Sequence, residues 1–249
     1  MGNAMKIAYL FLLYEDVNHP QLWERYFNGH EETTKICCHA ARRENTQTPF
    51  ARDNLIPFWV STQWGNIGLV AAHLELIRNA LRDPDVSRLV LCSGSCVPIK
   101  TYEQTYAALF EQEKSWVAVH RRFLTRMSKV TTLPADHHRK NSQWVALTRQ
   151  HAELLVRFNF LADFIRCVIP DEHYVGSVLT HLGEEDNMRQ LEQTYAHWEQ
   201  ISSVQMSPTV FGKLEDKTIN KLSKVPCLFA RKFSPISDID ERWDEIVGG

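Results

Sequence analysis

The sequence predicts a single α/β domain with a mostly parallel central sheet flanked by helices. Three observations lead there. Apolar runs of strand length alternate with segments of helical period, the chain opens on a β-α-β pattern, and no shift in composition divides its 249 residues. Hydrophobic residues make up 44% and charged residues 23%, the ordinary balance of a globular chain with a sizeable core.

The opening run "KIAYLFLLY" is apolar at nearly every position, as a strand covered on both faces must be. "HPQLWERYF" follows, with Pro20 suited to a first helical turn, and "KICCHA" is the second strand. In "NIGLVAAHLELIRNAL", Ile67, Val70, Leu74, Ile77 and Leu81 recur at helical spacing until Pro84 ends the pattern. "SRLVLCS" is a further buried strand, and Thr101 with Gln104 forms a capping box for "TYEQTYAALFEQE". "SWVAV" and "SQWVAL" complete the predicted strands. Between them, residues 121–141 are long and irregular, and Arg121, Arg122, Arg126, Lys129, Arg139 and Lys140 outnumber the one acid, Asp136. In such a fold, ligands bind beyond the carboxyl ends of the strands, so the loops after Tyr14, Cys92, Val119 and Leu147 are the candidate functional loops.

A formal net charge of -2 gives no overall attraction for nucleic acid or an anionic surface. The basic loop has only Phe123 for base stacking, which argues against a nucleic-acid partner. His137, His138, His173 and His181 fall in no recognisable zinc-ligand spacing. The run from Ile7 to Tyr14 is far too short to span a bilayer, so no integral membrane segment is expected. Six cysteines without a C-x-x-C are expected to be reduced and mostly buried. A cytoplasmic location follows as the expectation, a trimmed Golgi-lumenal domain being the alternative. Lys6 stands where a myristoylation signal requires Ser or Thr; residues 1–5 are taken as an added leader with Met5 the native start, and 234–249 as a C-terminal tail or helix.

"PDEHYVGSVLTHLG" carries the sharpest question. Val175, Val178, Leu179 and Leu182 share a helical face, Pro170 suits the first turn and Gly183 the stop. Asp171 and Glu172 then occupy the first turn, where acids interact favourably with the helix dipole. The same carboxylates, at a loop-lined sheet edge, could instead accept a proton from a substrate hydroxyl.

Five segments bear on the choice. "WGNIGLVAAHLELIRNALRDP", "LVLCSGSCVPIKT", "SQWVALTR", "PDEHYVGSVL" and "CLFARKF" resemble, in order and spacing, those of the core-2/I-branching β-1,6-N-acetylglucosaminyltransferase family, especially its plant-type members. The likeness runs from about Lys6 to Phe233. It implies a single nucleotide-sugar-binding domain of GT-A type and an inverting hexosyl- or pentosyltransferase. The donor would be a nucleotide sugar, UDP-linked, from the N-acetylglucosamine, xylose or glucuronic acid class, and the acceptor a glycan or other hydroxyl-bearing molecule. The family's general base lands on Glu172. His173, the other candidate base, is turned about 100° further round a helix.

The departing diphosphate needs positive charge. Asp83-Pro84-Asp85 and Asp238-Ile239-Asp240 have the composition of a metal-binding Asp-x-Asp, but neither follows a buried strand, and both suit turns or caps. The resemblance implies no metal or other cofactor and assigns the diphosphate to Lys232, with Arg231 beside it. In an extended segment those two side chains point to opposite faces. A second basic contact is expected among Lys213, Lys217, Lys221 and Lys224. The resemblance also matches Trp64 and Gly65 to a donor- or acceptor-binding turn before the long helix, puts Ser93, Gly94 and Ser95 facing the donor sugar, and puts Ser142 and Trp144 in the acceptor cleft, where an indole face suits a sugar ring. Ala40 and Ala41 stand where some relatives carry an aspartate that holds the uridine. The alternative function is a nucleotide-sugar or glycan-binding protein without turnover.

Overall fold

The computed structural model describes residues 4–130, 132–200 and 206–248, so the first three positions of the expected leader lie outside the described residues. Strand β1 (Lys6–Leu13) sits inside a six-stranded sheet with β2 (Thr34–Ala40), β3 (Val86–Ser93), β5 (Ser115–Trp116), β6 (Ala146–Thr148) and β7 (Met188–Arg189). The order is β2-β1-β3-β6-β5-β7. β1 pairs in parallel with β2 and β3, and β5 with β7, whereas β6 runs antiparallel to both of its neighbours. The sheet is therefore mainly parallel, as expected. A second sheet joins β4 (Val97–Pro98), β11 (Phe229–Arg231) and β8 (Thr194–Ala196), while β9 (Trp198–Gln200) and β10 (Met206–Pro208) form a hairpin-like pair.

Alternation along β1 explains the layering. Ile7, Tyr9, Phe11 and Leu13 point to one face and Ala8, Leu10 and Leu12 to the other, each into its own apolar cluster. On the first face lie α1 (Pro20–Phe27), α2 (Pro49–Arg52), α4 (Tyr102–Phe110), α7 (Asp216–Lys224) and α8 (Ile239–Val247). Trp23 is stacked there between Phe27 and Phe229. On the second face lie α3 (Gly68–Ala80), α5 (Arg149–Arg157) and α6 (Tyr174–His181). Thr101 and Gln104 make the capping box of α4, as their spacing predicts. The segment expected as a tail or helix is α8, held by buried Ile239, Trp243 and Ile246.

Several expectations need revision. "SWVAV" is strand only at Ser115–Trp116, and "SQWVAL" enters the sheet only at Ala146. Beyond Trp116 the chain still pairs: Val117 N donates to Arg189, and His120 and Lys140 exchange 2.7 Å backbone bonds. The basic loop is not free of structure, since 3₁₀ turns at Leu124–Met127 and Ala135–His137 let Met127, Val130 and Leu133 join the second core. The helix expected to start at Pro170 starts at Tyr174. Pro170–Glu172 is a separate 3₁₀ turn, entered through Ile169 at φ +55° and broken from α6 by His173 at φ -132°. The acids therefore precede α6 rather than forming its first turn. Gly183, at φ +82°, ends the helix in the left-handed conformation that glycine tolerates. All six cysteines are free and buried. Among the described residues, no helix is long and apolar enough to cross a membrane.

Candidate active site

At the carboxyl edge of β1, β2 and β3 lies a cleft with two adjoining lobes of about 640 and 800 Å³. They share a wall made by Trp64, Gln143, Trp144, Arg231 and Lys232.

The first lobe is built from the loops that leave the strands. Tyr14, Asp16 and Asn18 follow β1, Ala41 and Arg42 follow β2, and Ser93, Gly94 and Ser95 end β3. Gly94 is required there: a β-carbon would stand 2.2 Å from the Asp16 carbonyl oxygen. Asn18 N donates 2.8 Å to the Gly94 carbonyl, which fixes the two loops together. The Asp16 carboxylate accepts from Val17 N, Gln47 N, Thr48 N and Thr48 Oγ1 at 2.6–2.8 Å. Burial opposes its ionisation, but those bonds outweigh it and hold the carboxyl below its usual range. It is thus a loop organiser with little acceptor capacity left for a ligand.

Glu172 lines the second lobe with Lys140, Ser142, Asp171, Glu192, Thr194, Tyr195 and Trp198. Its Oε2 accepts 2.9 Å from Arg126 Nη1 and lies 3.7 Å from Lys140 Nζ. Oε1 has no hydrogen-bond partner among the described residues and is the oxygen left for a ligand. Burial pushes the Asp171 carboxyl up to about 6, and the Glu172 charge adds to the effect. Asp171 Oδ1 is buried with no partner among the described residues. Burial likewise raises Glu192, against a bond from Ser142. His173 is fully buried, and its Nδ1 donates 2.8 Å to the Arg139 carbonyl. It is held away from the cleft, which removes it as the competing base.

Arg231 and Lys232 correct the expectation of opposed side chains. β11 ends at Arg231, so strand alternation does not extend to Lys232, and both residues line both lobes. Arg231 lies over the Trp144 ring, 4.5 Å from its centroid, and its buried Nε has no partner. Burial lowers both pKa values, and for Lys232 the Arg231 charge lowers it further. Two half-buried cations side by side, with no carboxylate paired to either among the described residues, form a site that an anion would relieve.

Other expected residues divide. Trp64, 84% exposed, borders both lobes; Ser93, Gly94 and Ser95 border the first; Ser142 borders the second; and Trp144 separates them. Gly65 lines neither, and at φ +68° shapes the turn that packs near Ile169. Lys213, Lys217 and Lys221 border a different recess with Tyr195 and Phe211, and Lys224 borders none of these cavities. Asp83 pairs with Lys6, and Asp238 accepts from Leu214 N, so both Asp strings serve turns away from the cleft. Sequence reasoning missed Arg126, Lys140 and Glu192. The excess of cations in residues 121–141 was the only signal for the first two, and nothing marked Glu192.

The core-2/I-branching pattern reaches well beyond this cleft. A family profile described as "Branch: Core-2/I-Branching enzyme" matches residues 7–225, which takes in the lining of both lobes except Cys227, Arg231 and Lys232. The chain belongs to the Core-2/I-Branching enzyme family. Within reach of that assignment is "Glycosyltransferase BC10" of Oryza sativa subsp. japonica, 28% identical over 240 aligned positions that cover 81% of this chain. The chain spans 59% of the length of that relative. Among solved structures, "Crystal Structure of A197 from STIV" superposes with a TM-score of 0.36 at 10% identity, covering 80% of this chain and 87% of that one. A superposition that loose adds nothing to the assignment of this Core-2/I-Branching member.

Proposed function

We propose that the chain is an inverting, metal-independent glycosyltransferase that moves a sugar from a UDP-linked donor to the hydroxyl of a glycan or similar acceptor. The observation that carries this reading is the shared wall: a cationic couple, Arg231 and Lys232, with no carboxylate paired to either among the described residues, stands between a lobe floored by Ser93, Gly94 and Ser95 and a lobe containing Glu172. The donor occupies the first lobe, with its diphosphate against Lys232 and Arg231. The acceptor occupies the second, its ring against Trp144, Trp64 or Trp198.

Glu172 Oε1 takes the proton of the attacking hydroxyl as the oxygen bonds to the anomeric carbon and the bond to the diphosphate breaks on the opposite side. Arg126 on Oε2 fixes the carboxylate's orientation and leaves Oε1 to face the acceptor. The charge released on the diphosphate falls on Lys232 and Arg231, in a half-buried setting where cations act more strongly than in water. No carboxylate cage is needed for this step, and neither Asp string borders the cleft.

Glu172→Gln keeps the shape and removes the base. It is expected to lower turnover by roughly two to four orders of magnitude while donor binding, measured by calorimetry, stays within a few-fold. Undiminished turnover in that variant would refute the assignment. The donor is identified by a thermal-shift and hydrolysis screen of UDP-linked N-acetylglucosamine, xylose and glucuronic acid. Binding without hydrolysis or transfer would instead indicate a binding protein.

A further inference from the structure

Beside the acceptor lobe, two segments present an unusual surface. Residues 121–130 and 160–169 contain five arginines and lysines, Arg121, Arg122, Arg126, Lys129 and Arg166, against one acid, Asp163. Four of the five are exposed; Arg126 is the one turned inward to Glu172. Set among them are three outward apolar side chains: Phe123 at 58%, Ile165 at 64% and Val168 at 57% exposure. The segments adjoin where Val168 N donates 3.0 Å to the Arg126 carbonyl, and within the first the Arg126 guanidinium lies 4.9 Å from the Phe123 ring centroid.

The two hydrophobic cores do not account for these three side chains. Their sequence neighbours Met127, Phe164 and Cys167 already fill the core, and Phe123 projects from a left-handed residue at φ +55°. Large apolar groups interspersed with cations match the interface of an anionic bilayer. The rings and branched chains enter the acyl boundary while arginine and lysine remain among the headgroups. A soluble polyanion would use the cations and leave the apolar groups idle. The whole chain, at -2, is not generally basic, so the charge is a property of this face.

We propose that the surface formed by Phe123, Ile165 and Val168 with Arg121, Arg122, Lys129 and Arg166 docks the protein on anionic lipid bilayers. Docking there sets the acceptor lobe at the membrane, since Ile169 and Glu172 continue the same segment into it. The inference is independent of the sugar-transfer chemistry, because lipid binding needs no turnover.

The test is vesicle co-sedimentation of the full chain at low salt, with vesicles containing about half phosphatidylglycerol against pure phosphatidylcholine. Binding is expected only to the former and is expected to fall as salt rises. Each basic side chain near the surface is worth about fivefold in partition, so Arg121→Glu/Arg122→Glu/Arg166→Glu is expected to reduce binding by at least two orders of magnitude. Phe123→Asn/Ile165→Ser/Val168→Ser, in which asparagine suits the left-handed position, is expected to reduce it at least tenfold. An environment-sensitive dye on Ile165→Cys, the native thiols all being buried, is expected to shift to the blue on anionic vesicles. No binding to anionic vesicles would overturn the proposal. So would binding that ignores the apolar substitutions, which indicates a soluble polyanion site, or an unshifted dye.

Discussion

Replacing Asp171 with asparagine tests the electrostatics of the acceptor lobe directly. Its carboxyl stands at about 6 in the folded chain because burial disfavours the charged form, and Glu172 adjoins it. The unfolded value is near the ordinary carboxylate value of about 4. Between those two values the folded chain holds a proton that the unfolded chain has released, so stability falls as pH rises through this window and levels off above it. Two pKa units at 1.36 kcal/mol each amount to about 3 kcal/mol of destabilisation at pH 8, and essentially none below pH 4. Asp171→Asn removes the ionisation and little volume. Urea unfolding of both proteins from about pH 4 to pH 8 is therefore expected to show curves that meet at the acid end, with the variant gaining up to about 3 kcal/mol at the basic end. A difference that does not change with pH, or a variant less stable at pH 8 than at pH 4 relative to the parent, would refute the reasoning. It would mean that Asp171 is ionised and satisfied in the folded state.

Lys232→Ala is expected to weaken donor binding by about ten- to a hundredfold and to slow transfer as well, as loss of a charge-assisted contact requires; a defect confined to the acceptor KM would contradict the diphosphate role. Arg126→Ala is expected to cost about tenfold or more in kcat with the donor Kd unchanged, and Arg126→Lys to recover part of it; steady-state kinetics against calorimetry separates the two effects. Chelation with EDTA is expected to leave the transfer rate intact, whereas strict dependence on added Mn²⁺ or Mg²⁺ would move charge neutralisation to a metal.

Periodicity made the sheet and the long helix legible. Seven apolar residues in a row in β1 and the helical spacing from Val70 to Ile77 admit few alternatives, and both faces of β1 are buried as the run implies. Short strands such as Ser115–Trp116 and Ala146–Thr148 were overextended, because their apolar runs continue into chain that pairs through isolated bonds and side chains rather than a ladder. Helical spacing at Val175 and Val178 was sound, yet it could not reveal that His173 interrupts the helix and leaves Glu172 in its own turn. The family resemblance, rather than local pattern, pointed to Glu172, Lys232 and Trp144, and all three border the second lobe. The partners Arg126 and Glu192 come from segments distant in sequence and meet Glu172 and Ser142 only in the folded chain. Alternation misjudged Arg231 and Lys232 because the strand stops between them.

Trp144 and the guanidinium resting on it both border each of the two compartments. Whatever neutralises Arg231 from the nucleotide side also changes how firmly that cation holds the indole, and hence the surface offered to the incoming sugar. On the proposed function the two substrates would then be coupled through a single side-chain pair. Occupancy by the nucleotide should sharpen the affinity for the acceptor, and by thermodynamic reciprocity the acceptor should tighten the nucleotide by the same factor.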